Sequence, residues 1–244
     1  YGYGIFNTTY SLFSFAWSFI FGGIFQGLIK YGSEYLVNNK GDLSSFFATS
    51  LRYLTFLGIA LFILLFLFSL YVKDPSWRIT VFTIALSFLF SGAKDALASI
   101  IGALHQSDHL SLINASRSIV VLSSGLIFIF LSLPARFLPL LIVISSIWEL
   151  LLSIYFVRSR LNKILSFDFM SLVSIARSGI KGAMSNFFQI FVFGFYISLS
   201  ITAFNIMKSL DIIVLKLFFD YDAVGIYSVA DTASSILFYM TSFS

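Results

Sequence analysis

Two adjacent residues of opposite charge, Lys94 and Asp95, lie in a stretch that is otherwise apolar or small. An ionised side chain at the centre of a bilayer costs roughly 2.5–3.5 kcal/mol on insertion scales, so such a residue is read first as a functional site. A lysine there attracts an anion; a carboxylate there exchanges a cation or a proton. The plainer reading has Lys94 snorkelling to the nearer interface and Asp95 hydrogen-bonded to Ser91 or Ser99. Neighbouring positions sit about 100° apart on a helix, so the two need not pair. Two further acids fall in apolar stretches, Glu149 beside Trp148 and Asp231 near the end of the chain. Each is suited either to cation coupling or to bonding a hydroxyl on a neighbouring helix. A basic run, Arg158, Arg160, Lys163, Arg177 and Lys181, flanks one connection. It fits topology and anionic lipid. It also fits an anion vestibule, for which Arg177 and Lys181, four apart at a helix start, are best placed.

Small polar residues recur at three- and four-residue spacing. Asn7, Ser11, Ser14, Ser18, Gly22 and Gln26 form one stripe; Ser87, Ser91, Asp95 and Ser99 a second; Ser198, Thr202, Asn205 and Ser209 a third. On a helix each set shares a face. Such a face either lines a hydrated cavity or lets two backbones approach closely. His105 and His109, at i and i+4 with Asp108 beside them, have a spacing that can hold zinc. No third ligand lies near, and no metal site is assigned. The chain lacks a nucleotide-binding glycine loop, a paired-carboxylate hydrolase pattern and any cysteine. No catalytic residue and no cofactor follow, and transport would be driven by a gradient or by a partner.

The elements that must position these groups follow from composition. Of 244 residues, 59% are hydrophobic and 11% charged, and mean hydropathy is +0.96. A soluble domain carries about 25% charge. Soluble enzymes, disordered tails and coiled coils are excluded, and an all-α polytopic bundle of transmembrane helices remains. The net charge of +4 is ascribed to loops facing anionic lipid rather than to nucleic acid. Seven apolar segments approach the length needed to span ~30 Å at 1.5 Å per residue: 5–29, 53–72, 79–104, 116–133, 138–157, 179–204 and 223–244. The sixth is long and could continue as helix to Phe219. Asp42 is a candidate N-cap, and Lys73-Asp74-Pro75-Ser76 a tight turn.

Loop cations set the orientation. One set of connections holds nine (Lys30, Lys40, Arg52, Arg117, Arg158, Arg160, Lys163, Arg177, Lys181) and the other five (Lys73, Arg78, Arg136, Lys208, Lys216). The first set is expected to be cytoplasmic. Residue 1 then lies outside, which implies a preceding helix. Gly4-Ile5-Phe6 and Gly225-Ile226-Tyr227 each open a span on the outer side, six spans apart. An even number of crossings restores orientation, which fits a parallel repeat about an axis normal to the membrane and equally a chance likeness between two helix starts.

The stretch Ser209-Leu210-Asp211-Ile212-Ile213-Val214, followed by Ala223-Val224-Gly225-Ile226-Tyr227-Ser228-Val229-Ala230, resembles the seventh-to-eighth helix region of polysaccharide biosynthesis flippases. These are the Wzx-type members of the multidrug/oligosaccharidyl-lipid/polysaccharide (MOP) exporter superfamily. Tyr3-Gly4-Ile5-Phe6 resembles the start of their second helix, and Gly102-Ala103-Leu104-His105-Gln106 their fourth-to-fifth helix loop. The resemblance covers the whole chain as helices two to eight of twelve to fourteen. It implies a two-lobed bundle, with 1–178 the remainder of an N-terminal lobe and 179–244 the start of a C-terminal one. It implies alternating access and export of an undecaprenyl-diphosphate-linked repeat unit (O-antigen, capsule or exopolysaccharide) across a bacterial plasma membrane. On that reading Lys94, Arg177, Lys181, Ser91, Asn7 and Gln26 meet the diphosphate and sugar, while Asp95, Asp211, Glu149 and Asp231 serve coupling or gating. Implied partners are the lipid-linked oligosaccharide, membrane lipid, a glycan polymerase and glycosyltransferases, with no nucleic acid. The rival readings are a MATE-like drug or cation antiporter, whose cavity should be more acidic, and a non-transporting membrane protein of glycan assembly.

Overall fold

The computed structural model describes residues 2–38, 40–134, 137–164 and 184–242. Arg177 and Lys181 fall outside them. The described residues are almost entirely helical: α1 (Gly2–Trp17), a π-helical turn (Ser18–Gly22), α2 (Gly23–Asn38), α3 (Lys40–Tyr71), α4 (Pro75–Ala103), α5 (Ser107–Phe130), α6 (Leu140–Ile164), α7 (Met184–Phe218) and α8 (Tyr221–Ser242). This is the all-α membrane bundle expected from composition. Among the described residues four helices, α3 to α6, carry stretches long and apolar enough to cross a membrane.

Helix ends follow local chemistry. Asp74 caps α4, its Oδ1 accepting from the amides of Ser76 (2.8 Å) and Trp77 (3.0 Å), with Pro75 as the first helical residue. The helix therefore starts four residues before the apolar run at Ile79. At its other end His105 adopts φ 55°. Its amide donates to Gly102 O and that of Gln106 to Ile101 O, a Schellman closure with a histidine where glycine is usual. The left-handed region costs a residue with a Cβ roughly 1–2 kcal/mol, which glycine avoids at some entropic cost in the unfolded chain. His105→Gly is thus expected to stabilise the protein by about 0.5–1 kcal/mol, seen as a higher thermal midpoint in detergent.

Several spans begin earlier than hydropathy placed them. The helix expected from residue 116 starts at Ser107, because polar Ser107, Asp108, Ser111 and Asn114 are exposed along its first turns and Asp108 suits a helix N-terminus. Helix α3 starts at Lys40, so Asp42 lies within it rather than capping it. The sixth apolar segment does run on, to Phe218.

Helix α4 is the most buried of the candidate spans and packs against α2, α3 and α6. Glycine lets α3 and α4 approach: a Cβ on Gly92 would overlap the Leu54 carbonyl, and one on Gly58 would lie 2.9 Å from that of Phe88. Phe21, Leu28, Phe47, Leu54, Leu97 and Ile100 form the core beside them. Ile59, Ile63, Leu67, Ile119, Leu122 and Leu126 are exposed. In water such stripes would aggregate; in hydrocarbon they are the solvated surface.

Helices α1 and α2 lie against α7 and α8. A Cβ on Gly4 would collide with the Tyr221 carbonyl, and one on Gly225 would sit 3.5 Å from the Gly4 amide. The glycines of the two Gly-Ile-aromatic motifs thus lie against each other. Further along, Gly23 meets the Gly194 backbone, and the Gly23 amide donates to Ser198 Oγ at 2.8 Å. This bond leaves the chain where the π turn ends, where the regular α ladder is interrupted.

Candidate functional site: charges around a polar cavity

Helix α4 carries Lys94 nine residues before its last residue, Ala103. Arg117 lies ten residues after the start of α5 at Ser107, and Glu149 nine after the start of α6 at Leu140. At 1.5 Å per residue each lies roughly 13–15 Å along its helix from that end. Three helices bring three charges to one level. Lys94 Nζ is 2.7 Å from Glu149 Oε2, and Arg117 Nε is 3.2 Å from Glu149 Oε1. Lys94 Nζ also lies 3.6 Å from Asp95 Oδ1. The lysine does not snorkel; it turns sideways into the bundle.

This arrangement makes physical sense as a set. A lone charge inside the bundle is costly, and neutralisation by hydrogen-bonded partners offsets the desolvation. Glu149 is almost fully buried, its side chain 4% exposed, whereas Lys94 is 18% and Arg117 42% exposed. Both cations reach a cavity of about 280 Å³. Its walls come from Tyr10, Phe13, Ser14 and Trp17 of α1, Ser18 of the π turn, Ile84, Ser87, Phe88 and Ser91 of α4, and Ile142 and Ser146 of α6. Ser87 and Ser91 donate to carbonyls of their own helix, those of Ile84 (2.7 Å) and Ser87 (2.9 Å). Their oxygens remain available as acceptors toward the cavity. Trp17 stacks on Phe21 at 3.7 Å and tilts over Phe88 at 4.6 Å, which fixes an aromatic wall. The result is a cationic pole beside hydroxyls and aromatic faces, able to hold an anion attached to a polar, ring-shaped group.

Of the residues singled out from sequence, Lys94, Asp95, Glu149 and Ser91 come together here. Neither Asn7 on α1 nor Gln26, exposed on α2, lines the cavity. Asp211 lies elsewhere, accepting from the Tyr227 hydroxyl across the α7–α8 hairpin. Asp231 is exposed on α8. Ser198 serves the Gly23 contact, so that stripe packs helices at this point. The histidine pair loses its helical spacing because His105 belongs to the turn; the His109 ring packs on Phe156. Among the described residues no group of three or more potential metal ligands forms.

Sequence alone places Arg117 among the loop cations. The structure moves it three turns into α5. A signal was present: Ile113, Arg117, Val120, Ser124 and Phe128 share one helical face, and Ile113 and Phe128 on it are buried. Reading that face required extending the helix through its polar start.

A family model described as polysaccharide biosynthesis protein matches residues 1–243. No curated protein and no solved structure gives a significant match to the chain.

Proposed function

The chain belongs to the polysaccharide biosynthesis protein family, and from that premise we propose that it flips a lipid-linked oligosaccharide across a bacterial plasma membrane. The observation that carries this reading is the pair of cations, Lys94 and Arg117, opening on a polar cavity inside the bundle. A diphosphate needs charge-assisted donors, and these are two. The attached sugar needs hydroxyl and aromatic partners, and the serines and Trp17 wall supply that chemistry. The isoprenoid tail stays in the bilayer, beside the exposed apolar faces of α3 and α5. An exporter of organic cations would need a cavity whose charged wall is acidic; here the cations face the space and Glu149 stands behind them.

Movement follows from the two-lobed reading, with 1–178 in one lobe and 179–244 beginning the other. The α1–α2 to α7–α8 seam is then the line along which the lobes part. Asp95, Asp211 and Asp231 are the candidates for coupling and gating. Arg177 and Lys181 are candidates for cytoplasmic capture of the same diphosphate. Undecaprenyl diphosphate is the proposed carrier, with an O-antigen, capsule or exopolysaccharide unit as cargo.

A wet cavity is directly measurable, since the protein has no native cysteine. Cysteines at Ser87 and Ser91 should react with a membrane-impermeant thiol reagent at least about tenfold faster than a cysteine at the lipid-facing Leu126. Equal, slow labelling at all three positions would remove the cavity and the carrier with it.

A further inference from the structure

We infer that Glu149 limits how tightly the cavity holds a diphosphate, so that the bound anion can leave. The inference rests on the anion-binding reading above and adds a role for a residue that does not itself line the cavity. Glu149 divides its carboxylate between two helices, Oε2 to Lys94 on α4 and Oε1 to Arg117 on α5. It therefore holds both cations at the wall from behind. Arg117 approaches it through Nε, and the guanidinium carries further donors on its two Nη groups. Lys94 has three donors and spends one on Glu149. A ligand in the cavity thus meets aimed cations, but cations already half-neutralised.

Charge counting gives the consequence. Lys94 and Arg117 contribute two positive charges, and Asp95 and Glu149 two negative ones, so the cluster sums to zero. An anion entering the cavity is drawn to the near cations and repelled by the carboxylate directly behind them. Across a few ångströms of protein this repulsion weakens binding by on the order of tenfold or more. A channel or carrier site must bind well enough to load and weakly enough to unload. Bare cations inside the bundle would hold a diphosphate and retain it. Glu149 sets the compromise while keeping the empty site electrically balanced, which two lone cations could not be.

The test uses the protein in lipid nanodiscs, with inorganic pyrophosphate in one calorimetric arm and farnesyl diphosphate in the other. Glu149→Gln keeps the side-chain shape and one acceptor oxygen but removes the charge. Affinity is expected to rise at least about tenfold while ligand release and flipping in proteoliposomes slow. A purely structural role would instead lower both affinity and turnover. A gain in both arms assigns the effect to the diphosphate itself; a gain confined to farnesyl diphosphate assigns it to the lipid-borne form, and either supports the inference. Glu149→Asp, which keeps the charge but draws it back from the cations, is expected to tighten binding severalfold, and it carries the test if the glutamine variant does not fold. Unchanged or weaker binding in the folded variant overturns the inference. Loss of pyrophosphate binding in Lys94→Ala alongside that result leaves the anion site standing and removes only the role of Glu149. Wild-type binding in Lys94→Ala overturns both.

Discussion

Replacing Lys94 with alanine is expected to cut export of lipid-linked glycan by about ten- to a hundredfold, the factor matching a charge-assisted hydrogen bond worth about 1.5–3 kcal/mol. Lys94 contacts the cavity directly and is the more deeply buried of its two cations. Its loss does not strand Glu149, because Arg117 still meets the other carboxylate oxygen at 3.2 Å. The fold should therefore persist, and protein in the membrane should remain near the parental level. The readout is accumulation of the lipid-linked sugar on the cytoplasmic side together with loss of glycan outside. Lys94→Arg keeps the charge but replaces a compact ammonium with a planar fork, and it should restore part of the activity. Undiminished export in the alanine variant would take Lys94 out of the transport path.

The second large effect is expected at Gly23. A Cβ there would overlap the Gly194 carbonyl and come within 2.5 Å of Ser198 Oγ, so Gly23→Ala must push α2 away from α7. It also disturbs the amide that donates to Ser198. Overpacking of this kind costs about 1–3 kcal/mol, and part of that falls on the contact between α2 and α7. Ile190 is buried beside the same seam, where a Cβ on Gly27 would lie 3.0 Å from its side chain. A cysteine at Ile190 should be unreactive in the parent and reactive in the Gly23→Ala background. Unaltered protection there would mean that the seam tolerates the methyl group and is looser than its backbone contacts imply.

Composition alone determined that the chain is an all-α membrane bundle, because 11% charge cannot clothe a soluble surface. It also placed Lys94, Asp95 and Glu149 inside that bundle as residues whose burial demands a reason. Local chemistry was legible in part: the turn at Lys73-Asp74-Pro75-Ser76 marks the start of α4, whereas Asp42, which reads as a cap, lies inside α3. The polar first turns of α5 hid Arg117, since a hydropathy window registers average character and not the face on which a residue lies. The pairing of these charges comes from the packing of the helices. Lys94 and Asp95 are neighbours in sequence, yet the shorter contact of Lys94 is to Glu149, fifty-five positions away on another helix. Helical period says which way a side chain leaves its own axis and nothing about which axis stands opposite. That is set by the packing of α6 against α4 and α5, which brings Glu149 to both cations; the close backbone approach at Gly58 and Gly92 fixes α4 against α3.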